Sequence, residues 1–274
     1  MTFDLKNNYH IAVPTAFFPD EELNTEATID HMLYLQTQGV RSVLVCGSTG
    51  EQHSLTLAEK LLLLNALEKE TRFDAEFEII FGVSSIRQKE ALQLAEAAEH
   101  CSAIAGILLG FAPYILPSQD EAKKYVERIA AVTSKPIILY NNPRRTGFDL
   151  GMETLNDLLC LPQIIGLKEA GDYQRTVQLQ LPSDKNFYLY AGGEAELAAK
   201  VQVGFTRLSS IGGNLFPEEI YDWFTALLAG STENFSKQAQ LDQVFSASPL
   251  PYLKNEISKK EQIAMGIART PLGN

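Results

Sequence analysis

The sequence predicts a (β/α)8 barrel of the TIM-barrel class with a short C-terminal helical extension. Two observations carry that expectation. Short apolar runs alternate with amphipathic stretches eight times by residue 230, the rhythm of a parallel sheet whose strands are joined by helices. The chain also has 274 residues without a composition break, a length that one barrel fills. The reading gives a barrel domain over 1–230 and a helical extension over 231–274. An open doubly wound sheet is the main rival.

The units run in order. "HIAVPTAF" (10–17) reads as the first strand, and "ATIDHMLYLQTQG" (27–39) as a helix with a Gly39 stop. "SVLVCG" (42–47) precedes "LTLAEKLLLLNALEKE" (55–70); there Thr56 as N-cap and Glu59 three residues on form a capping box. "FEIIFGV" (77–83) pairs with "RQKEALQLAEAAEH" (87–100), and "AIAGILLG" (103–110) with "SQDEAKKYVERIAAVT" (118–133). "KPIILYN" (135–141) is followed by "GMETLNDLLC" (151–160), and "QIIGLKEA" (163–170) by "DYQRTVQLQL" (172–181). The last two units are "NFYLYAG" with "EAELAAKVQ" (186–202) and "FTRLSSIGG" with "FPEEIYDWFTALLAG" (205–230). Beyond them two more helices are expected, with "SPLPY" (248–252) as a break.

Composition narrows the function. A net charge of -11 argues against nucleic acid or anionic membrane as the general partner, though a local pocket can still take a small anion. No apolar stretch reaches the length of a membrane span, and the N-terminus has no signal-peptide pattern. Cys46, Cys101 and Cys160 lack zinc or disulfide spacing. A soluble cytoplasmic protein is the expectation. His10, His31, His53 and His100 are scattered and read as structural.

A barrel's active site gathers at the C-terminal strand ends. Lys168 ends the sixth strand, after the apolar run Ile164–Leu167. A desolvated lysine can be a neutral amine and attack a ketone to give a Schiff base. Equally, Lys168 could snorkel to solvent or pair with Glu169. Tyr140 ends the fifth strand as either a core tyrosine or a proton shuttle. In "GSTGE" (47–51) Ser48 and Thr49 lie between glycines, as a carboxylate-binding loop or a plain turn. Arg144 and Arg145 offer a carboxylate fork or surface charge. "AGGE" (191–194) and "IGGN" (211–214) raise a phosphate site, and with it a phosphorylated substrate or pyridoxal phosphate on Lys168.

Together "GSTGE", "YNNPRRTG" and "IIGLKEA", in this order on strands two, five and six, resemble the dihydrodipicolinate synthase / N-acetylneuraminate lyase family. The resemblance runs from about residue 10 to about 230. It implies a barrel that condenses pyruvate with a small aldehyde, without metal or cofactor. It also implies a homotetramer built as a dimer of dimers. Lys168 matches the Schiff-base lysine, Tyr140 the proton-transferring tyrosine, and Thr49 with Ser48 the hydroxyls that bind pyruvate. Gly193 falls among the substrate-binding positions. Arg145 matches the arginine that, in the synthase branch, receives the carboxylate of aspartate semialdehyde. The lyase branch runs the same steps on 2-keto-3-deoxy sugar acids or N-acetylneuraminate.

Departures accompany the match. Synthases carry two adjacent tyrosines after strand four, one reaching into the neighbouring subunit. Here "APYILPSQ" leaves Tyr114 for that role, with Ile115 beside it. "VSSIRQ" (83–88) lacks the usual Gly-x-Gly-x-Asn, and Ile86 replaces a polar residue that helps bind feedback lysine in some members. Ser209 stands where synthases often have an apolar residue whose backbone contacts pyruvate. A non-catalytic member that kept only the fold is the remaining reading.

Overall fold

The computed structural model describes residues 4–246 and 248–273. Eight parallel strands close into one barrel in sequence order, β1 pairing with both β2 and β8. The strands are β1 (Tyr9–Ala12), β2 (Ser42–Val45), β3 (Glu78–Gly82), β4 (Ile104–Gly110), β5 (Ile137–Asn141), β6 (Ile164–Glu169), β7 (Tyr188–Ala191) and β8 (Arg207–Ser210). Helices α1 (Thr25–Thr37), α2 (Leu57–Lys69), α3 (Gln88–His100) and α4 (Gln119–Ala130) follow the first four strands. After β5 come α5 (Pro143–Thr146) and α6 (Met152–Leu158); α7 (Leu197–Gln202) and α8 (Pro217–Leu228) follow β7 and β8. The tail holds α9 (Gln238–Val244) and α10 (Pro249–Glu261).

The strand pleat divides the apolar residues between two cores. Ala12, Leu44, Ile80, Leu108, Ile138 and Tyr190 cluster inside the barrel. Their neighbours Ile11, Val43, Ile79, Ile107 and Ile137 join the larger cluster under the helices. A third cluster, with Ala16, Leu215, Val244, Leu253, Ile257 and Met265, fastens the tail to the barrel. The Thr56 capping box forms as its sequence predicts, and Ser118 with Glu121 makes a second one on α4.

Four local expectations change. β1 stops at Ala12, because Pro14 has no N–H to extend the ladder. The stretch 172–181 is not an α-helix: only a 3-10 helix forms, at Tyr173–Gln178. Its Thr176 hydroxyl bonds the Tyr173 carbonyl at 2.7 Å, and Val177 is β-branched too; both features disfavour α-helix. "SPLPY" is a helix start, not a break, since Pro249 opens α10; prolines in a first turn forgo N–H groups that have no intrahelical partner anyway. The short α5 was not foreseen. Asn142 caps it and Gly147 closes it with φ 75°.

Candidate active site

The register of β5 and β6 sets Tyr140 beside Lys168. Both point into the barrel mouth, whereas Asn141 and Glu169, one residue on, point outward. Glu169 therefore does not pair with Lys168. It accepts from Asn141 Nδ2 at 2.9 Å and from Arg175 Nη2 at 2.9 Å. Lys168 is 6% exposed and makes no ion pair with a carboxylate among the described residues. Its Nζ donates to Ser209 Oγ at 2.8 Å and lies 4.7 Å from the centre of the Tyr140 ring. Burial lowers the amine from its ordinary 10.5; Tyr140 and Glu194 oppose that and Arg145 adds to it, and the net direction is down. A lowered pKa enlarges the neutral, nucleophilic fraction at neutral pH.

Tyr140 is tuned the same way by other means. Burial pushes the phenol up. Lys168, the hydrogen bonds with Ser48 and Asn142, and Arg145 outweigh it and bring the phenol below its ordinary 10. Ser48 Oγ is 3.5 Å from Tyr140 Oη, and Asn142 Nδ2 donates to it at 2.7 Å. A phenol with a stabilised anion and a hydroxyl neighbour can take and return a proton.

The "GSTGE" turn brings Ser48 and the buried Thr49 to this mouth from β2. Cys46 at its start has φ 54°, and the turn lies so close to β3 that a Cβ on Gly82 would come within 2.1 Å of the Cys46 carbonyl oxygen. Only glycine fits there. Glu51 ends the turn fully buried. Its carboxylate accepts from Lys254 Nζ of α10 at 2.8 Å and from the Arg269 N–H at 2.9 Å. The tail thus braces the loop that carries Ser48 and Thr49.

On the far side of the mouth, Gly193 has φ 111°, a left-handed conformation that glycine adopts freely, and is buried. The phosphate reading of "IGGN" fails on its own geometry. Glu194 already takes the Ile211 and Gly212 N–H groups at 3.1 Å each and the Ser210 hydroxyl. A phosphate would have to displace a buried carboxylate from these donors. Arg145, on α5, is exposed at the rim. Tyr114 is not brought to the mouth of its own chain: it is 93% exposed on the loop after β4, with φ 76°. Sequence reasoning missed Asn142, Glu194 and Lys254. Only Asn142 carried a local signal, as a cap-forming residue before proline.

These features define a barrel enzyme built around a buried amine. The chain belongs to the dihydrodipicolinate synthetase family, whose sequence profile matches residues 6–273, and with that family it is a lyase. Among its relatives is the 4-hydroxy-tetrahydrodipicolinate synthase of Leptospira biflexa, 32% identical over 201 residues, covering 73% of this chain and 67% of the relative. That of Shewanella pealeana is 29% identical over 265 residues, 91% of this chain and 88% of the relative. In structure the chain is similar to a dihydrodipicolinate synthase from Bacillus anthracis, with TM-score 0.87, 24% identity and coverage of 98% and 93%. It is also similar to a sialic acid aldolase from Ruminococcus gnavus, with TM-score 0.86, 19% identity and coverage of 97% and 90%. At these identities the structural likeness is one of fold. No helix among the described residues is long and apolar enough to cross a membrane, and no cluster of three metal-ligating side chains occurs among them.

Proposed function

We propose that the protein condenses pyruvate with L-aspartate 4-semialdehyde through a Schiff base on Lys168, giving 4-hydroxy-tetrahydrodipicolinate. The observation that carries this reading is the buried Lys168 amine between Tyr140 and Ser209. The pyruvate carboxylate binds Thr49 and Ser48 with the backbone near Gly193. Nζ attacks the ketone carbon, and the nitrogen's proton passes to the former carbonyl oxygen by way of Tyr140. The resulting hydroxyl takes a further proton from the Tyr140 phenol and leaves as water, and the nitrogen's lone pair closes the iminium, which keeps the nitrogen's second proton. Loss of a methyl proton sends its electron pair to nitrogen and gives the enamine. The enamine carbon bonds to the aldehyde carbon, whose oxygen takes the proton; the amino group of the semialdehyde then adds to the iminium carbon and displaces Nζ, closing the ring and freeing Lys168. Arg145, at the rim, receives the aldehyde's carboxylate.

The Ser209 hydroxyl and Asn142 amide make the mouth polar, which favours a second reading. In it the partner is a hydroxylated aldehyde and the enzyme works on 2-keto-3-deoxy sugar acids or N-acetylneuraminate. The exposed Ile86, Tyr114, Ile115 and Leu116 on neighbouring loops support a homo-oligomer, as a tetramer of two dimers, in which Tyr114 reaches the partner subunit's relay. Three free thiols suit a cytoplasmic location. The test is borohydride reduction with pyruvate. Mass analysis is expected to find the adduct on Lys168, absent in Lys168→Ala; an unmodified protein refutes the mechanism. Turnover only with a sugar-derived aldehyde rejects the synthase assignment in favour of the second reading.

A further inference from the structure

Tyr140 has two hydrogen-bond neighbours, and they differ in kind. Ser48 Oγ, at 3.5 Å, can donate or accept. Asn142, 8% exposed, presents its Nδ2 at 2.7 Å. An amide nitrogen only donates, so toward Asn142 the phenol oxygen can only accept. The amide cannot turn over to reverse this. Its Oδ1 accepts the Arg145 N–H at 3.2 Å as the cap of α5, and a flipped amide would set N–H against N–H. The helix cap therefore fixes which end of Asn142 meets the phenol.

We infer that Asn142 is a positioning residue that holds Tyr140 as the acceptor of a permanent amide donor and so turns the phenol's one proton toward Ser48 and the substrate space. The same contact favours the phenolate that forms when the proton leaves, because a hydrogen bond to the charged form stabilises it. The charged groups acting on this phenol are Lys168, from β6, and Arg145, from α5. Neither takes the place of Asn142: Lys168 lies over the ring face rather than at the oxygen, and Arg145 is joined to Asn142 through its backbone N–H. One side chain thus ties the helix that carries Arg145 to the phenol that moves the proton.

The role of the proton in turnover rests on the pyruvate reading above; the state of the phenol does not. Two variants separate donor from cap. Asn142→Ser keeps a capping oxygen and loses the amide donor. Asn142→Asp keeps the cap and sets a carboxylate against the phenol. The first readout is the titration of Tyr140 by NMR of protein carrying 13C at the tyrosine ring carbon bonded to oxygen, the signal assigned with Tyr140→Phe. A rise of about one pH unit is expected in Asn142→Ser, the order of effect of one good hydrogen bond to an anion, and a larger rise in Asn142→Asp. The second readout is exchange of pyruvate methyl protons with deuterium oxide, which needs no aldehyde. The exchange rate at neutral pH is expected to fall about tenfold in Asn142→Ser, with its pH profile displaced to the alkaline side. An unmoved Tyr140 titration in both variants overturns the inference. A moved titration with no exchange by the parent protein upholds the positioning and rejects the pyruvate chemistry instead.

Discussion

Replacing Lys254 by methionine removes the cation that faces Glu51 and leaves most of the side chain's apolar stem in place. Both partners of the Lys254–Glu51 pair have side chains with 0% exposure, so water cannot take over from the lost ammonium. Glu51 retains one donor, the Arg269 N–H, and loses the charged one. Lys254 also gives up a position 4.3 Å from the centre of the Phe17 ring, a contact that Arg269 shares at 4.2 Å from the same ring. Stranding a buried charge of this kind costs about 3–5 kcal/mol. For a chain of this length each kcal/mol lowers the melting temperature by roughly 2 °C, so a fall of about 6–10 °C is expected by calorimetry. Lys254→Met with Glu51→Gln removes the stranded charge and should recover much of that loss, because replacing both partners of a buried pair is often neutral. A single variant melting within about 2 °C of the parent, or a double variant no better than the single, refutes the reasoning. Glu51 lies two residues beyond Thr49, so the single variant should also weaken pyruvate binding before it unfolds.

Three further outcomes follow from the same geometry. His10 is 1% exposed, and neither ring nitrogen has a partner among the described residues. Burial, with Lys168 and Arg207 adding to it, holds the imidazole well below its ordinary 6.5. Below that pH the unfolded chain takes up the proton and the folded chain does not. Stability should therefore drop as pH falls from about 6.5, by at most about 1.4 kcal/mol per pH unit. His10→Leu should flatten that slope in melts from pH 7 to 5; an unchanged slope would remove His10 as its source. Tyr140→Phe should cut pyruvate proton exchange about 100-fold or more, and parent-like exchange would exclude the phenol from proton transfer. Mixing Tyr114→Phe with Lys168→Ala subunits should restore activity that each lacks alone, if Tyr114 serves the neighbouring site; no recovery in proven mixed oligomers would confine it to the surface.

The fold was legible because its signal is repeated. Seven of the eight strands are apolar runs that the pleat divides between two cores, β8 giving only Leu208 to the outer one, and one misjudged unit such as 172–181 does not disturb the other seven. Lys168 and Tyr140 were legible for a related reason. Each breaks an apolar run at a strand end, and neighbouring strands of a parallel barrel deliver such residues side by side. What the sequence withheld depends on pairs distant along the chain or on the direction of a side chain. Glu51 and Lys254 are 203 residues apart, and neither letter shows that the two charges are buried against each other. Glu194 reads as part of a glycine-rich turn that could welcome phosphate; only three dimensions reveal that its own carboxyl group already occupies those amides. Asn142 was in plain view inside "YNNPRRTG", and capping alone explained it. Its second role arises because an amide has two unlike ends. Once the cap engages the oxygen, the nitrogen must face Tyr140, so a residue chosen by the local rule for starting a helix also sets the direction of the proton at the centre of the site.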